Sequence, residues 1–310
     1  MRSKIIWPDN HSFAFTVFDD PDSQTMEASR AVYGFLADCG LRTTKGVWPV
    51  LGHGIPSDHG LTCADAEYLR WLKQLQASGF EIGYHNATSH TSVREETILG
   101  LDAFAAQFGH HPNSMANHYF CEEGIYWGEN RLSGVNRLIY SILTRGKNRG
   151  ISFGHVPEHP LFWGDLCKER IQYVRNFVFA DINTLNACPH MPYYDPARPY
   201  VNYWYASSEG AQAPSFIERI NAANQDRLEH EGGACIMYTH FGMGFYKDGQ
   251  LNAQFQSLIR RLSRKNGWFV PVSTLLDFLK KQNSSDTITN AQRASMERRW
   301  LKDKVLIGTA

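Results

Sequence analysis

Short apolar runs alternate with amphipathic segments along the first half of the chain, and this alternation restricts the fold more than any other feature. The run "FAFTVF" at residues 13–18 reads as a strand. A helix is expected from Thr25 to Cys39, where Met26, Ala31, Val32, Phe35 and Leu36 fall near helical spacing, and Gly40 stops it. A short strand follows near Gly46 to Leu51. A second helix runs from about Cys63 to Ala77, with Ala64, Tyr68, Trp71, Leu72 and Leu75 on one face. "FEIGY" at 80–84 reads as the next strand. A third helix covers Val93 to Phe108, with Ser92 as its cap and Glu95 and Glu96 in its first turn. Strand and helix in strict alternation argue for an α/β protein with a parallel sheet.

The second half is less regular. "GIYWGENRLSGVNRLIYSILTRG" reads as helix, and "ISFGHV" and "VRNFVFADI" read as strands. The aromatic, proline-rich stretch from Leu185 to Ser208 reads as a long functional loop. Helices are then expected at 214–231, 251–265 and 273–281, with strands "ACIMYTH" and "WFVPV" between them. Residues 1–282 therefore form one domain, and 283–310 a polar linker with a helical tail.

Composition excludes several classes. The 310 residues are 43% apolar and 20% charged with a formal net charge of zero, so the broad basic face needed by a phosphate backbone is not expected. No apolar run approaches the ~20 residues that span a bilayer. "MRSKIIWPDNHSF" does not read as a signal peptide. The six cysteines are scattered without a CxxC pair, which suits free thiols in a reducing cytoplasm. A cytoplasmic location is expected, and no oligomeric state is implied.

The polar residues concentrate at strand ends. Asp19 and Asp20 follow the first strand, His85 and His90 follow the third, and His240 follows "ACIMYT". Parallel strands open their C-terminal ends on one face, where active sites are built. One carboxylate and two imidazoles form an open metal site, and a cation also relieves the repulsion between adjacent aspartates.

The sequence resembles the polysaccharide deacetylases, the NodB-homology carbohydrate esterases, from about Phe13 to Leu279. "TVFDDPD" is similar to their "TFDDG" motif, "EIGYHNATSH" to their "EIGxHTxSH" motif, and "CIMYTHFG" with "GWFVPVSTLLDFL" to their closing strand–helix units. The resemblance implies an irregular, TIM-like (β/α) barrel of about seven strands. It implies Asp19 as general base, His240 as acid, and the backbone N–H of Tyr119 as oxyanion donor. Asp20, His85 and His90 would hold a divalent cation, zinc. The implied activity is hydrolysis of a carbon–nitrogen bond, removing an N-acyl group from an amino sugar or saccharide intermediate. Trp127, Trp204 and the tyrosines of 193–205 are candidates to stack on sugar faces.

Three departures stand out. The histidine pair is one residue wider than usual, Pro21 replaces a glycine, and the position of the motif arginine is Ala116 in "ANHY". Asn117 or His118 would then orient Asp19, and Asp181 would tune His240. A sugar-binding or scaffold protein with a degraded site, and a non-haem iron oxygenase, are the alternatives.

Overall fold

Each apolar run of the first half takes its place beside the next, and the last closes on the first. In the computed structural model, which describes residues 5–283 and 285–310, seven parallel strands pair in chain order. They are β1 (Phe13–Asp19), β2 (Thr44–Val47), β3 (Glu81–Tyr84), β4 (Ser114–Met115), β5 (Tyr173–Phe179), β6 (Tyr203–Ser208) and β7 (Ala234–Thr239). Six residue pairs from Ala14↔Ala234 to Asp19↔Thr239 join β7 back to β1 and close the barrel. A small antiparallel hairpin, β8 (Tyr246–Lys247) with β9 (Gln250–Leu251), lies apart, and β10 (Gly267–Trp268) pairs with the start of β1. The expected barrel is therefore present.

The helices are α1 (Met26–Asp38), α2 (Ala66–Ala77), α3 (Arg94–Phe108), α4 (Gly134–Leu143), α5 (Gly164–Arg170) and α6 (Thr184–Ala187), followed by α7 (Ala213–Arg219), α8 (Ala222–Glu231), α9 (Ala253–Ser263), α10 (Val272–Gln282) and α11 (Asn290–Ile307). Thr25 and Asp65 cap α1 and α2 by accepting from the Ala28 and Tyr68 N–H groups. Ser92 does not cap α3; its hydroxyl pairs with Thr88 Oγ1, and Gly109 ends the helix in the left-handed conformation at φ 82°.

Several expectations fail for identifiable reasons. "ISFGHV" is not a strand but a turn-rich segment, tied down by Phe153 N–H donating to the Glu122 carbonyl and by Phe153 stacking on His159 at 4.1 Å. The single helix expected at 214–231 is two, because the Asn221 side chain caps α8 and breaks the run. The supposed loop 185–208 contains β6. Its aromatic residues Tyr193, Trp204 and Tyr205 are fully buried, so they pack the core and are withheld from any sugar. The segment after residue 282 is tied to the barrel. Ile288 is buried, its N–H donating to the Tyr194 carbonyl, and α11 packs Trp300 against Phe177 of β5 at 5.5 Å.

The two adjacent aspartates go to opposite sides of the barrel wall, as successive residues of an extended chain must. Asp19 points outward beneath α1. It is fully buried and accepts from Tyr33 Oη at 2.9 Å, Lys45 Nζ at 2.8 Å and the Phe241 N–H at 2.7 Å. Burial pushes its pKa up, and Lys45 and the other donors oppose that shift. Asp20 points inward, toward the side on which the Phe18 ring faces Arg175 and Tyr205. Removing one partner of a buried pair strands the other charge, so Lys45→Met is expected to cost about 3–5 kcal/mol. The double variant Asp19→Asn/Lys45→Met is expected to recover most of that loss. Urea unfolding midpoints of the two variants check this; equal midpoints would overturn it.

Candidate metal centre

The site grows from the C-terminal ends of β1, β3, β4 and β7, which the parallel barrel turns to one face. Chain leaving β1 carries Asp20 and Asp22; His85 follows β3, His118 follows β4 by three residues, and His240 follows β7. Three ligand atoms converge. His85 Nε2 lies 3.2 Å from His118 Nδ1, Asp22 Oδ1 lies 3.4 Å from His118 Nδ1, and Asp22 Oδ1 lies 3.6 Å from His85 Nε2. A tetrahedral cation with bonds near 2.1 Å holds its donors about 3.4 Å apart. Asp22, His85 and His118 form the metal-capable cluster among the described residues. Asp22 Oδ1 is buried without a hydrogen-bond partner among those residues, which is costly unless a cation occupies the cradle. The residues therefore fit a divalent metal.

A hydrogen bond prepares His118 as a ligand, and a nearby carboxylate orients His85. Ser57 Oγ donates its only proton to the Ser89 carbonyl, so at 2.8 Å from His118 Nε2 it accepts. That places the His118 proton on Nε2 and leaves the Nδ1 lone pair facing the cluster. The Asp20 carboxylate, 3.7 Å from His85 Nδ1, favours the His85 proton on that nitrogen. Trp48, buried at the end of β2, meets His118 edge-on at 5.3 Å.

Asp20 and His240 complete the floor of the pocket. Asp20 is gripped by Arg175 of β5 through both oxygens, at 3.1 and 2.6 Å. His240 Nδ1 donates to the Ala211 carbonyl at 2.8 Å, and its Nε2 lies 3.2 Å from Asp22 Oδ2 and 4.0 Å from Asp20 Oδ2. Without a bound cation, burial pushes the Asp22 carboxyl up, but the hydrogen bond from His240 and the imidazoles of His85 and His118 beside it outweigh that and hold the pKa well below the usual range. Burial and the neighbouring His85 lower His118 to about 4. Burial opposes protonation of His240 as well, yet the Asp22 hydrogen bond and the Asp20 and Asp22 charges raise it to about 9.

The expected ligand set is not the one assembled. Of Asp20, His85 and His90, only His85 contributes to the cluster. Asp20 is committed to Arg175. His90 sits under Gly52 and Gly54, where a Cβ would strike its ring. Its Nε2 accepts from the Gly54 N–H at 2.9 Å and its Nδ1 donates to the Thr91 carbonyl at 2.8 Å, so neither nitrogen is available to a metal. Asp19, with its donors on the far side of the wall, does not reach the pocket, so it cannot act there as a base. Neither Asn117 nor His118 orients Asp19. Asn117 lines the pocket while its amide bonds the Ile125 backbone in both directions, and His118 belongs to the metal cluster. Asp181 pairs with Arg227 and Arg299 and makes no contact with His240 among the described residues. Tyr119 and Trp127 both line the pocket, of about 320 Å³, Tyr119 half exposed and Trp127 buried under the Arg131 guanidinium at 4.0 Å.

Sequence reasoning overlooked Asp22, Arg175 and Lys45. Asp22 stood in the quoted "DDPD", and a charge inside each of the strands "YVRNFVF" and "TKGV" was a readable signal, because a buried charge requires a partner.

Behind the cluster, Asn86 links its neighbours. Its Oδ1 accepts from the His118 N–H at 3.3 Å and its Nδ2 donates to the buried Glu123 at 2.6 Å. Burial raises Glu123 to about 8 despite that hydrogen bond. Between pH 4.5 and 8 the folded state keeps a proton that the unfolded state has lost, so this group's contribution to stability falls as pH rises through that window. Glu123→Gln is expected to flatten the decline, as read from denaturation at a series of pH values. Parallel profiles for the two proteins would contradict it.

No family model matches the sequence, and no curated relative does. Solved structures do match. A protein described as a polysaccharide deacetylase from Mycobacterium smegmatis aligns over 94% of this chain and 98% of its own, with a TM-score of 0.54 at 12% identity. The PuuE allantoinase aligns over 89% and 92%, with a TM-score of 0.49 at 12% identity. The peptidoglycan deacetylase PdaC from Bacillus subtilis aligns over 95% and 100%, with a TM-score of 0.40 at 14% identity. At these identities the likeness speaks to architecture: the chain has the polysaccharide-deacetylase barrel fold in a widely diverged sequence.

Proposed function

We propose that the protein is a metal-dependent hydrolase of a carbon–nitrogen amide bond, acting in the cytoplasm to remove an N-acyl group from an amino sugar or saccharide intermediate. The observation that carries this reading is the convergence of Asp22 Oδ1, His85 Nε2 and His118 Nδ1 at 3.2–3.6 Å in a pocket that also holds Asp20 and His240. Zinc is the cation this donor set suits, and when bound it supplies an acidified water and a Lewis acid for the amide carbonyl.

The roles move one step along the motif from those implied by the resemblance. Asp20 takes the proton of the attacking water, and Arg175, bonded to both of its oxygens, fixes its rotamer. Arg175 thus supplies, from β5, the cation missing at Ala116. The water oxygen adds to the carbonyl carbon, and the carbon–nitrogen bond breaks as the amine takes a proton. His240 is placed to give that proton. Because its Nδ1 proton is held by Ala211, only the imidazolium has a transferable proton on Nε2, the nitrogen that faces Asp22 Oδ2 and Asp20 Oδ2. Tyr119 and Phe120, exposed at the pocket lip, provide aromatic surface for a sugar ring, and the buried Trp127 lines the same pocket. The backbone N–H of Tyr119 remains the oxyanion donor of this scheme.

Two measurements test the proposal. Asp22→Asn, His85→Ala and His118→Ala are expected to lose the bound metal by elemental analysis, while His90→Ala keeps it. Retention in the first three, or loss in the fourth, would sink the ligand assignment. His240→Ala is expected to keep the metal and fold, and Asp20→Asn to keep the metal but melt lower because the buried Arg175 loses its charged partner; both are expected to release amine from a panel of N-acylated amino sugars ~10²–10⁴-fold more slowly. A native protein that binds metal but releases no amine from any of the panel would favour the sugar-binding reading instead.

A further inference from the structure

The helix α4 is amphipathic in the wrong sense for a helix packed on a barrel. Its apolar residues Val135, Leu138, Ile139, Ile142 and Leu143 recur at the spacing of one helical face, and they are 71, 56, 40, 68 and 50% exposed. The face turned to the protein is the polar one. Asn136 donates to Glu297 at 2.8 Å and to the Ala294 carbonyl, and Ser141 and the phenol-bearing Tyr140 are buried beside it. An apolar face of this size turned to water has a cost that packing against the barrel does not recover.

Cations adjoin that face. Arg145, Lys147 and Arg149 follow the helix in "TRGKNRG", all exposed. Glu129 pairs with Arg137 at 2.9 Å and lies 3.9 Å from Arg149, whereas among the described residues Arg145 and Lys147 form no salt bridge. The chain as a whole has zero formal net charge, so this cluster is a local excess. Tyr119 and Phe120 on the pocket lip are 50 and 65% exposed, and Tyr140 and Asn148 tie the same element to the pocket wall.

We infer that α4 and the loop after it dock on an anionic lipid bilayer surface, with the apolar stripe in the acyl boundary and Arg145 and Lys147 at the headgroups. Charge selects this occupant. A second copy would offer this segment only itself, and residues 134–150 contain no acidic side chain to meet Arg145 and Lys147, whereas an anionic surface complements them. No described helix is long and apolar enough to cross a membrane, so the contact lies in the plane of the surface. The pocket mouth then opens beside the bilayer. The docking stands apart from any activity of the pocket.

The test is co-sedimentation of the full chain with vesicles of phosphatidylcholine alone and of phosphatidylcholine mixed with phosphatidylglycerol. The chain is expected to pellet with the mixed vesicles, to leave them as salt is raised, and to stay in solution with phosphatidylcholine alone. Leu138→Asp/Ile142→Asp and Arg145→Glu/Lys147→Glu are each expected to lower partitioning by about tenfold or more. Both pairs are exposed, so circular dichroism and melting are expected to match the native chain; the charge-reversal pair carries the test if the first pair fails to fold. Failure of the native chain to pellet, equal binding to both vesicle types, or unchanged partitioning of the folded variants would overturn the inference. So would a dimer in sedimentation equilibrium that Leu138→Asp abolishes, which would assign the face to a second copy.

Discussion

Two neighbouring carboxylates at the end of a buried strand are tolerated because each has its own cation, brought from a different strand to a different side of the wall. Lys45 of β2 answers Asp19 outside the barrel, and Arg175 of β5 answers Asp20 inside it. Unpaired, either charge would lose hydration without compensation. The pairs thus demand that β1, β2 and β5 hold the positions they occupy, and the Phe241 N–H on Asp19 brings the chain leaving β7 into the same arrangement. The mouth of the barrel is organised around this double neutralisation, and the catalytic candidates inherit their geometry from it.

Asp22 has a different function from the pair before it. It lies past the strand, where the chain turns inward, and its two oxygens face different groups. Oδ1 completes the cradle with His85 and His118, while Oδ2 meets His240. A single carboxylate therefore couples the ligand set to the proposed acid. The tautomers are arranged from behind: Ser57 fixes His118, Ala211 fixes His240, and Asp20 faces the remaining nitrogen of His85. A ring held by its distal nitrogen, as His118 is, needs little reorganisation to receive a cation.

The last helix contributes more than a cover. Asp195 draws Arg198 and Arg293 together, Glu297 receives Asn136, and Trp300 stands between Tyr140 and Phe177. These contacts hold α4 by its polar face, which is why its apolar residues point to solvent. Lys304 and Thr309 then reach the pocket wall. An element distant in sequence thus shapes both the entrance to the site and the surface beside it.

Local pattern sufficed for the first half of the fold. The periodicities of β1 to β3 and α1 to α3 were legible because each element buries one face and each helix ends near a turn or a glycine. β6 was illegible because its aromatic residues, flanked by prolines, carry no alternation; only closure of the barrel makes them core. The sequence by itself also determined that acidic and imidazole groups would gather at one end of a parallel barrel, since strand direction places every C-terminal end on that face. Which of those groups meet was decided only in three dimensions. His90 was the expected ligand and His118 was not, yet the Gly54 N–H and the Thr91 carbonyl occupy both nitrogens of His90, and the strand after α3 delivers His118 to the cluster. Adjacent Asp19 and Asp20 carry the same charge and differ only in which side of the wall they face, and that depends on partners 26 and 155 residues away, which no local pattern encodes.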